Sequence, residues 1–506
     1  MRSGAVRRLF VLLVAVTIVY RLSLLNRGAT AFVDETFYFT SVMALQSMAA
    51  GDVHGAIADI SMARGRNGAA LLQMPVAALQ AIPAHFGVPA SNLRSLLIPT
   101  ACNVLVSLLS LYFMFRIGVI LCGNDAAALA AAAVYALLVN SNLYLRHLLP
   151  YDWALAVGLG ALWLSLTRPR TAALAVWTGL LTGVVLTIYT GYYSLCGALG
   201  VAMLWQAWAS SERRDALHFA VLFAASSAAV VVAMEVLFRI GGLSYIASLW
   251  AVHRDIVFTS YDDGWTFLGE YLLDVERLSG VVLIGGAAVY VWRAANRIRR
   301  GALRPIDRVI LPMLVAWAYQ AASSTYLNAI PLFGRLIHPW MPFLAWMLAD
   351  SLAAIALVRV RTAACAAVIV AALGSWIFAA REYVPLKYPP DVLYAMGIDT
   401  TRLPPGRMLC ELYPGTSYAS PGPINRATGA PYGAENDYLL LNFCQALPSV
   451  SRPKHPAVIP ASATRVFDGP HWMTYPAYGY EGLIRADRDA IARDGYRLQV
   501  FTVAAW

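Results

Sequence analysis

Three acidic residues beside apolar segments have the type and position to do chemistry at a membrane surface. Asp34 and Glu35 follow the first apolar run, and Asp152 directly precedes the fourth. All three also have a structural interpretation, because Asp34 and Asp152 could cap helices and Glu35 could favour the positive end of a helix dipole. Carboxylates can equally act as general bases or as ligands of a divalent cation. We take these three residues as the candidate catalytic groups.

Basic side chains precede or open several apolar runs on the side that the topology derived below places outside, where arginine should be rare. Any one of them could simply snorkel to the interface or form a salt bridge. Together they suggest a phosphate site, since arginine binds phosphate oxygens with two parallel hydrogen bonds. The candidate phosphate-binding residues are Arg66, Arg94, Arg146, His147, Arg335 and His338.

Glu235 is an acid inside an apolar run, where a lone charge is costly and often functional. Arg239 follows it by four residues. Because residues four apart are neighbours on one helix face, we predict a local ion pair rather than a further catalytic acid.

The composition indicates which class of protein carries these groups. Of 506 residues, 59% are hydrophobic and 13% are charged, and the mean hydropathy is +0.60. This excludes a soluble enzyme, a disordered chain and a small disulfide-framework protein. The net charge of +10 comes from arginines in short clusters between apolar runs, which fits membrane topology better than nucleic-acid binding. The standard phosphate loop and the HExxH and GxGxxG motifs do not occur in the sequence.

Apolar runs of spanning length, which means about 20 residues, predict an all-α polytopic membrane protein with about eleven transmembrane helices. The runs are Leu9–Leu25, Ser95–Phe115, Ala126–Tyr144, Trp153–Leu166, Ala172–Tyr189, Tyr192–Trp208, Leu217–Phe238, Ser279–Trp292, Val309–Tyr326, Ile337–Val358 and Ala363–Ala379. A further run, Ala69–Phe86, is treated as a juxtamembrane helix in the first outer loop. With the N-terminus in the cytoplasm and this run not crossing, every dense arginine cluster after the first span falls in the cytoplasm and the C-terminus lies outside, as the positive-inside rule requires.

This topology divides the chain into a transmembrane domain, residues 1–380, and an outer domain, residues 381–506. We predict a small periplasmic α/β fold for the outer domain, with strands at Asp437–Phe443 and Tyr496–Val503 and a helix at Arg488–Arg493. Its two cysteines, Cys410 and Cys444, are expected to form a disulfide in an oxidising compartment.

These motifs resemble those of the polyprenyl-phosphate-sugar-dependent integral membrane glycosyltransferases, in the branch of the protein O-mannosyltransferases and the lipid A aminoarabinose transferases. The resemblance covers about residues 5–380 in layout. It rests on Asp34-Glu35-Thr36-Phe37-Tyr38, Phe86-Gly87 with Leu93-Arg94, Phe115-Arg116-Ile117-Gly118, Arg146 through Asp152, Gly179-Leu180-Leu181-Thr182-Gly183 and Arg335 through Pro342. Family members often have Lys-Pro-Pro-Leu before the juxtamembrane helix, whereas this chain has Arg64-Gly65-Arg66-Asn67-Gly68-Ala69, so Arg66 would replace that lysine.

The resemblance implies a function for the candidate residues. Asp34 would be the general base on the acceptor hydroxyl, or a ligand of a divalent cation, and Asp152 would be the second acid. The cation is the one cofactor that this leaves open. The donor would be a polyprenyl-phosphate sugar, and the acceptor would be a lipid, glycan or protein of the cell envelope. The enzyme would lie among the lipids of a bacterial inner membrane, with its tail in the periplasm.

Two other classes of function remain at this stage. A transporter or flippase of a lipid or sugar would often show paired halves and acids deep in its spans. A partner-binding membrane protein with a degenerate site would keep the layout without the chemistry. Turnover of a lipid-linked sugar by the purified protein separates both from a glycosyltransferase.

Overall fold

A computed structural model of the chain describes residues 3–25, 35–88, 93–210, 212–256, 264–327, 332, 334–383, 408–410, 436–442, 464–468 and 498–504. Asp34 and Cys444 lie outside these residues, as does the helix expected at Arg488–Arg493. The predicted cysteine pairing therefore stays a prediction.

Up to Tyr383 the regular elements that the structure describes are helices, joined by short 3-10 turns. They are α1 (Ser3–Leu22), α2 (Thr36–Ala49), α3 (Val53–Ser61), α4 (Asn67–Ala78), α5 (Ala81–His85), α6 (Leu97–Cys122), α7 (Asp125–Leu137), α8 (Val139–Leu143), α9 (Tyr151–Thr167), α10 (Ala172–Ile188), α11 (Tyr193–Ser210), α12 (Arg213–Ile240), α13 (Tyr245–Ile256), α14 (Gly264–Asp274), α15 (Leu278–Arg299), α16 (Pro305–Leu327), α17 (Gly334–Ile337), α18 (Met341–Ala353) and α19 (Val358–Tyr383).

A helix lies at each of the eleven apolar runs, but fewer helices meet the length and apolarity of a membrane span. Four do so among the described residues: α6 with its preceding turn, α12, α15 and α19. The pair α7–α8 would add a fifth as a broken span, bent by 57°. Helix α10 is apolar but has only 17 residues. The membrane-helix character is therefore supported, while the count of eleven is not established by the helices alone.

Short helices occupy the chain between α1 and α6, as expected, but the run Ala69–Phe86 is not one helix. It is divided between α4 and α5, with Leu79 and Gln80 at the junction. Helices α3 and α4 pack against α2, and α4 also contacts α10. This places the first loop against the helix bundle.

Small residues let the helices of the bundle approach closely. Helix α7 is buried nearly all round from Ala127 onward, mostly through alanines, and it packs against α6, α18 and α19. Gly179 and Gly183 face α12, where a Cβ on Gly179 would fall on the Phe223 carbonyl oxygen and on Ser226. The spacing is that of the small-xxx-small contacts by which membrane helices associate.

The arginine cluster that we assign to the cytoplasm is also an ion-pair network. Asp307 accepts hydrogen bonds from Arg297 (2.6 Å from Nη2) and from Tyr290 (2.9 Å). Asp350, fully buried on α18, accepts from Arg304 at 2.7 Å. These bonds tie α15, α16 and the segment before α16 to α18.

Four strands are described in the tail: β1 (Met408–Cys410), β2 (Asn436–Asn442), β3 (Thr464–Asp468) and β4 (Leu498–Ala504). They form one sheet of order β1-β2-β4-β3, in which β1 is parallel to β2 and the other pairs are antiparallel. Strands β2 and β4 coincide, within a residue or two, with the two strands expected from the sequence.

Candidate functional site

The start of α2 is joined to the segment before α9 through Glu35. The Glu35 side chain is 1% exposed and makes no cap bond to its own helix. Its carboxylate instead accepts a hydrogen bond from the backbone N–H of Leu148 at 2.8 Å and lies 3.6 Å from His147 Nδ1. Glu35 thus stands at the start of α2, and its carboxylate also connects two segments that are distant along the chain.

The segment before α9 is held from several sides. Asn103 on α6 donates to the carbonyl oxygen of His147 at 2.5 Å, and Trp153 donates to Asn103 at 2.8 Å. Gln73 on α4 donates to the Leu148 carbonyl oxygen at 3.4 Å. Because a buried backbone needs partners for its polar groups, these side chains stabilise one conformation of the segment.

Asp152 does not cap α9, whose N-cap is Pro150. It lies in the first turn of the helix, where its Oδ1 is 3.6 Å from Nε2 of His338. Neither of these two atoms has a hydrogen-bond partner among the described residues, although Asp152 and His338 are both buried. An acid and an imidazole from distant parts of the chain thus face each other at the start of α9.

The opposite side of the His338 ring contacts the break between α7 and α8. Leu138 has an extended conformation, with φ −65° and ψ 141°, which ends α7 and lets α8 begin in a new direction. Asn140, in the first turn of α8, lies 2.8 Å from His338 Nδ1 through its Oδ1. The Asn140 amide nitrogen donates to the Gly334 carbonyl oxygen at 2.9 Å and to the Tyr271 hydroxyl at 3.0 Å.

The start of α8 is capped by a carboxylate from another helix pair. Glu276, between α14 and α15, accepts hydrogen bonds from the backbone N–H groups of Val139 and Asn140, both at 2.8 Å. Burial raises the pKa of Glu276 to about 7, although the two backbone hydrogen bonds favour its charged form. Sequence reasoning did not identify this role of Glu276.

Two predicted phosphate-binding arginines meet on a row of tyrosines. The Arg66 guanidinium lies over the rings of Phe37 and Tyr189, 4.8 and 5.1 Å from their centroids. Tyr189 contacts Tyr151 edge to face at 4.8 Å, and Arg335 donates to the Tyr151 hydroxyl at 2.9 Å. The Tyr144 ring contacts both Tyr151, at 5.6 Å, and His338, at 6.2 Å, so the two arginines and the Asp152–His338 pair belong to one group of contacts.

The other residues that the sequence suggested for the site differ in where they lie. Arg146 is buried in the 3-10 turn before His147. Arg94 is exposed in the turn that precedes α6, and the contacts described above do not reach it. Asp34 precedes the described Glu35, so its role stays a prediction. Among the residues that the structure describes, no group of three or more His, Cys, Asp or Glu side chains is arranged to hold a metal ion.

Sequence reasoning missed Arg21 and Asn67 as parts of this region. Arg21, 1% exposed at the end of α1, donates to Asn142 at 3.0 Å and to Ser107 at 2.6 Å, and interacts electrostatically with Asp152. Asn67 is fully buried at the start of α4, and neither polar atom of its side chain has a partner in the described part of the chain. An arginine at the end of an apolar run was the available signal for Arg21.

The expected ion pair on α12 is confirmed. Arg239 Nε lies 2.7 Å from Glu235 Oε1, and Glu235 also accepts from the backbone N–H of Ile246 at 2.9 Å. Glu235 therefore caps α13 and pairs locally, which is a structural role.

Comparison of the chain with known proteins does not identify a family for it. No family model, no curated protein and no solved structure matches the chain. The arrangement itself offers carboxylates for proton transfer or cation binding, and guanidinium groups beside a helix start for an anion.

Proposed function

We propose that the protein is a membrane glycosyltransferase, of the polyprenyl-phosphate-sugar-dependent kind that its motifs resemble. It would transfer a sugar from the lipid phosphate to a lipid, glycan or protein acceptor of the cell envelope. The observation that carries the proposal is the grouping of Arg66, Arg335, Asp152 and His338 around Tyr151 and Tyr189. The two arginines, Asp152 and His338 come from three separate segments of the chain. The positive charge of the arginines suits a leaving phosphate, and the Asp152 carboxylate can accept a proton.

The donor phosphate is assigned to the start of α4. Arg66 is the N-cap of that helix and Asn67 is its first residue. A helix start attracts anions through its unpaired N–H groups and its dipole, and a buried amide without a partner is costly unless a ligand satisfies it. A phosphate at this point would be held by Arg66 and Asn67, with Arg335 on the other side of the tyrosines.

The chemistry would need little acid assistance, because a phosphate is a good leaving group. The acceptor hydroxyl oxygen would bond to the anomeric carbon while the bond from that carbon to the phosphate oxygen breaks. Asp34 would be the general base or the ligand of a divalent cation, and Asp152 the second acid. Positive charge from the arginines would stabilise the departing phosphate.

The proposal includes the finer topology. Eleven spans with the N-terminus inside would place Glu35, His147, Asp152 and Arg335 on the periplasmic face of a bacterial inner membrane. Short helices such as α9 and α10, with 17 residues each, would cross with the help of flanking residues. Residues 381–506 would form a periplasmic α/β domain that contains the sheet β1–β4.

The test is turnover of a lipid-linked sugar by protein purified in detergent. A radiolabelled polyprenyl-phosphate sugar is the donor and an envelope extract supplies the acceptor. We expect transfer by the natural protein and by Asp215→Asn, a control that changes an exposed acid on α12. Asp152→Asn should lower transfer by about 10²-fold or more. Transfer from a soluble nucleotide sugar alone, or full activity of Asp152→Asn, would contradict the proposal.

A transporter of a lipid or sugar is the second candidate, and one observation favours it. The α7–α8 pair is a broken helix whose second half starts beside polar groups, as in many transporter sites. Protein reconstituted in vesicles would then move the lipid-linked sugar between leaflets without any new glycosidic bond. Formation of labelled glycan product decides for the transferase.

A further inference from the structure

His338 is held on both ring nitrogens by groups that differ in what they can do. Asn140 Oδ1 lies 2.8 Å from Nδ1, and Asp152 Oδ1 lies 3.6 Å from Nε2. The ring is fully buried and so is Asn140. The state of the imidazole is therefore decided by the orientation of the Asn140 amide.

That orientation is determined by Gly334. The Asn140 amide has one nitrogen, which donates, and one oxygen, which accepts. A backbone carbonyl oxygen accepts only, so the atom 2.9 Å from the Gly334 oxygen must be the amide nitrogen. The amide oxygen then faces His338, and Nδ1 must carry the proton of that hydrogen bond.

Asn140 is itself placed by Glu276. The two oxygens of the Glu276 carboxylate accept from the successive backbone N–H groups of Val139 and Asn140. This holds the first turn of α8, which starts immediately after the break at Leu138. In the variant Glu276→Gln the side chain would have one accepting oxygen for two donors, and its amide nitrogen would turn toward one of them.

We propose that Glu276 and Asn140 are positioning residues that hold the proton of His338 on Nδ1. The nitrogen that gains and loses a proton is then Nε2, next to Asp152. The two atoms are 3.6 Å apart and lack other partners among the described residues, so one hydroxyl oxygen can lie within hydrogen-bond distance of both. The inference rests on the proposed function only for its consequence in sugar transfer.

That consequence is a defined destination for the acceptor proton. As the acceptor oxygen bonds to the anomeric carbon, the electron pair of the broken bond leaves with the phosphate. The hydroxyl proton passes to Nε2 of His338, and Asp152 stabilises the imidazolium that forms. Charge is conserved, and no further reactant is needed.

The first test reads the ring protons directly and requires no activity. The sequence has eight histidines, so ¹⁵N-histidine labelling of the full-length protein in lipid gives few ring signals, and His338→Gln identifies those of His338. We expect a protonated Nδ1 in the natural protein. Asn140→Leu should move the proton to Nε2, which then donates to Asp152, and Glu276→Gln should shift the same signals in that direction. A bare Nδ1 in the natural protein, or His338 signals that neither variant changes, would overturn the inference.

Glu235→Gln is the matched control. Glu235 also accepts from the first turn of another helix, at 2.9 Å from the Ile246 nitrogen, but that helix, α13, packs chiefly against α12. This variant should leave the His338 signals unchanged. If it changes them as Glu276→Gln does, the effect is general loosening of the protein and the inference is wrong.

The second test uses the transfer assay. Asn140→Leu and Glu276→Gln should lower kcat by roughly 10- to 100-fold, as loss of a supporting hydrogen-bond partner commonly does, while the donor KM stays within about 2-fold because the phosphate contacts are intact. A rise in KM with unchanged kcat would contradict a role in positioning. If the natural protein transfers no sugar, the proposed function fails, whereas the ring-proton experiment still decides the inference.

Discussion

Several buried polar atoms in this protein have no hydrogen-bond partner among the described residues, and they indicate where a ligand could bind. Asp152 Oδ1, His338 Nε2 and both polar atoms of Asn67 are buried without hydrogen-bond partners in the described residues. Buried polar groups normally find partners, because desolvation without one costs about 1–3 kcal/mol. Their grouping near Arg66 and Arg335 is the reason for assigning a ligand here.

Arg335 gives a prediction that separates binding from chemistry. Its guanidinium donates to Tyr151 and lies 6.0 Å from the centroid of that ring. Arg335→Lys keeps the charge but loses the planar, bidentate geometry. We expect a donor KM raised by about 10-fold together with a lower kcat, since the phosphate carries charge before and during transfer.

The measurement is the dependence of transfer rate on donor concentration. Arg213→Lys, at an exposed site on α12, is the comparison and should change KM by less than about 2-fold. Equal effects of the two substitutions would show that Arg335 has no special role.

Glu276 predicts a pH dependence of stability. Its pKa is raised by burial from 4.5 to about 7 in the folded protein. A carboxyl with a raised pKa favours folding while it is protonated, so this contribution is present below about pH 4.5 and is lost as the pH rises through about 7. The melting temperature of the natural protein should therefore fall relative to that of Glu276→Gln between about pH 5 and about pH 8.

Thermal unfolding in detergent, followed by tryptophan fluorescence, measures this difference. Glutamine cannot ionise, so the melting temperature of the variant lacks this part of the pH dependence. This holds even if the variant is less stable than the natural protein at every pH. Parallel curves for the two proteins would show that Glu276 does not titrate in this range.

Among the elements, the close approach of α10 and α12 gives a physical reason for the motif Gly179-Leu180-Leu181-Thr182-Gly183. Gly179 and Gly183 lie one turn apart, and a Cβ on Gly183 would be 2.8 Å from the Ser227 carbonyl oxygen. Backbone atoms cannot yield as a flexible side chain can. These glycines therefore permit a contact that no larger residue would allow.

Gly179→Leu should separate α10 from α12 and destabilise the bundle. Overpacking of this kind commonly costs about 1–3 kcal/mol or more, and we expect a lower melting temperature and a poorer yield of monodisperse protein. Gly197→Leu on α11 is the matched control, because nothing lies within 4 Å of a Cβ at that position. Equal loss in both variants would contradict close α10–α12 packing as the cause.

At the scale of the whole molecule, arginines have two functions at the end that we assign to the cytoplasm. The positive-inside rule is the reason for that assignment, and Arg293, Arg297 and Arg304 also pair with the buried acids Asp307 and Asp350. Such pairs are expensive to bury and costly to break. The topology assigns these ion pairs to the cytoplasmic side and the Asp152–His338 pair to the periplasmic side. The two locations can be tested separately.

Impermeant thiol labelling in intact cells tests the topology. Cysteines introduced near Asp152 and near Ala430 should be labelled from outside, and one near Arg299 should be protected until the cells are opened. The reason is the arginine distribution, which by the positive-inside rule places Asp152 outside the cytoplasm and Arg299 inside it. Labelling near Arg299 but not near Asp152 would reverse the orientation and remove the periplasmic site.

The sequence by itself determined the local features of this protein. Apolar runs predicted where helices lie, and the four-residue spacing of Glu235 and Arg239 predicted their ion pair, because periodicity and neighbouring side chains act within one or two turns. Tertiary structure alone decided the long-range pairs. Arg21 and Asn142 are 121 residues apart, Glu276 and Asn140 are 136 apart, and His338 and Asn140 are 198 apart. Such pairs depend on the packing of whole helices and on the break at Leu138, which no spacing along the chain encodes.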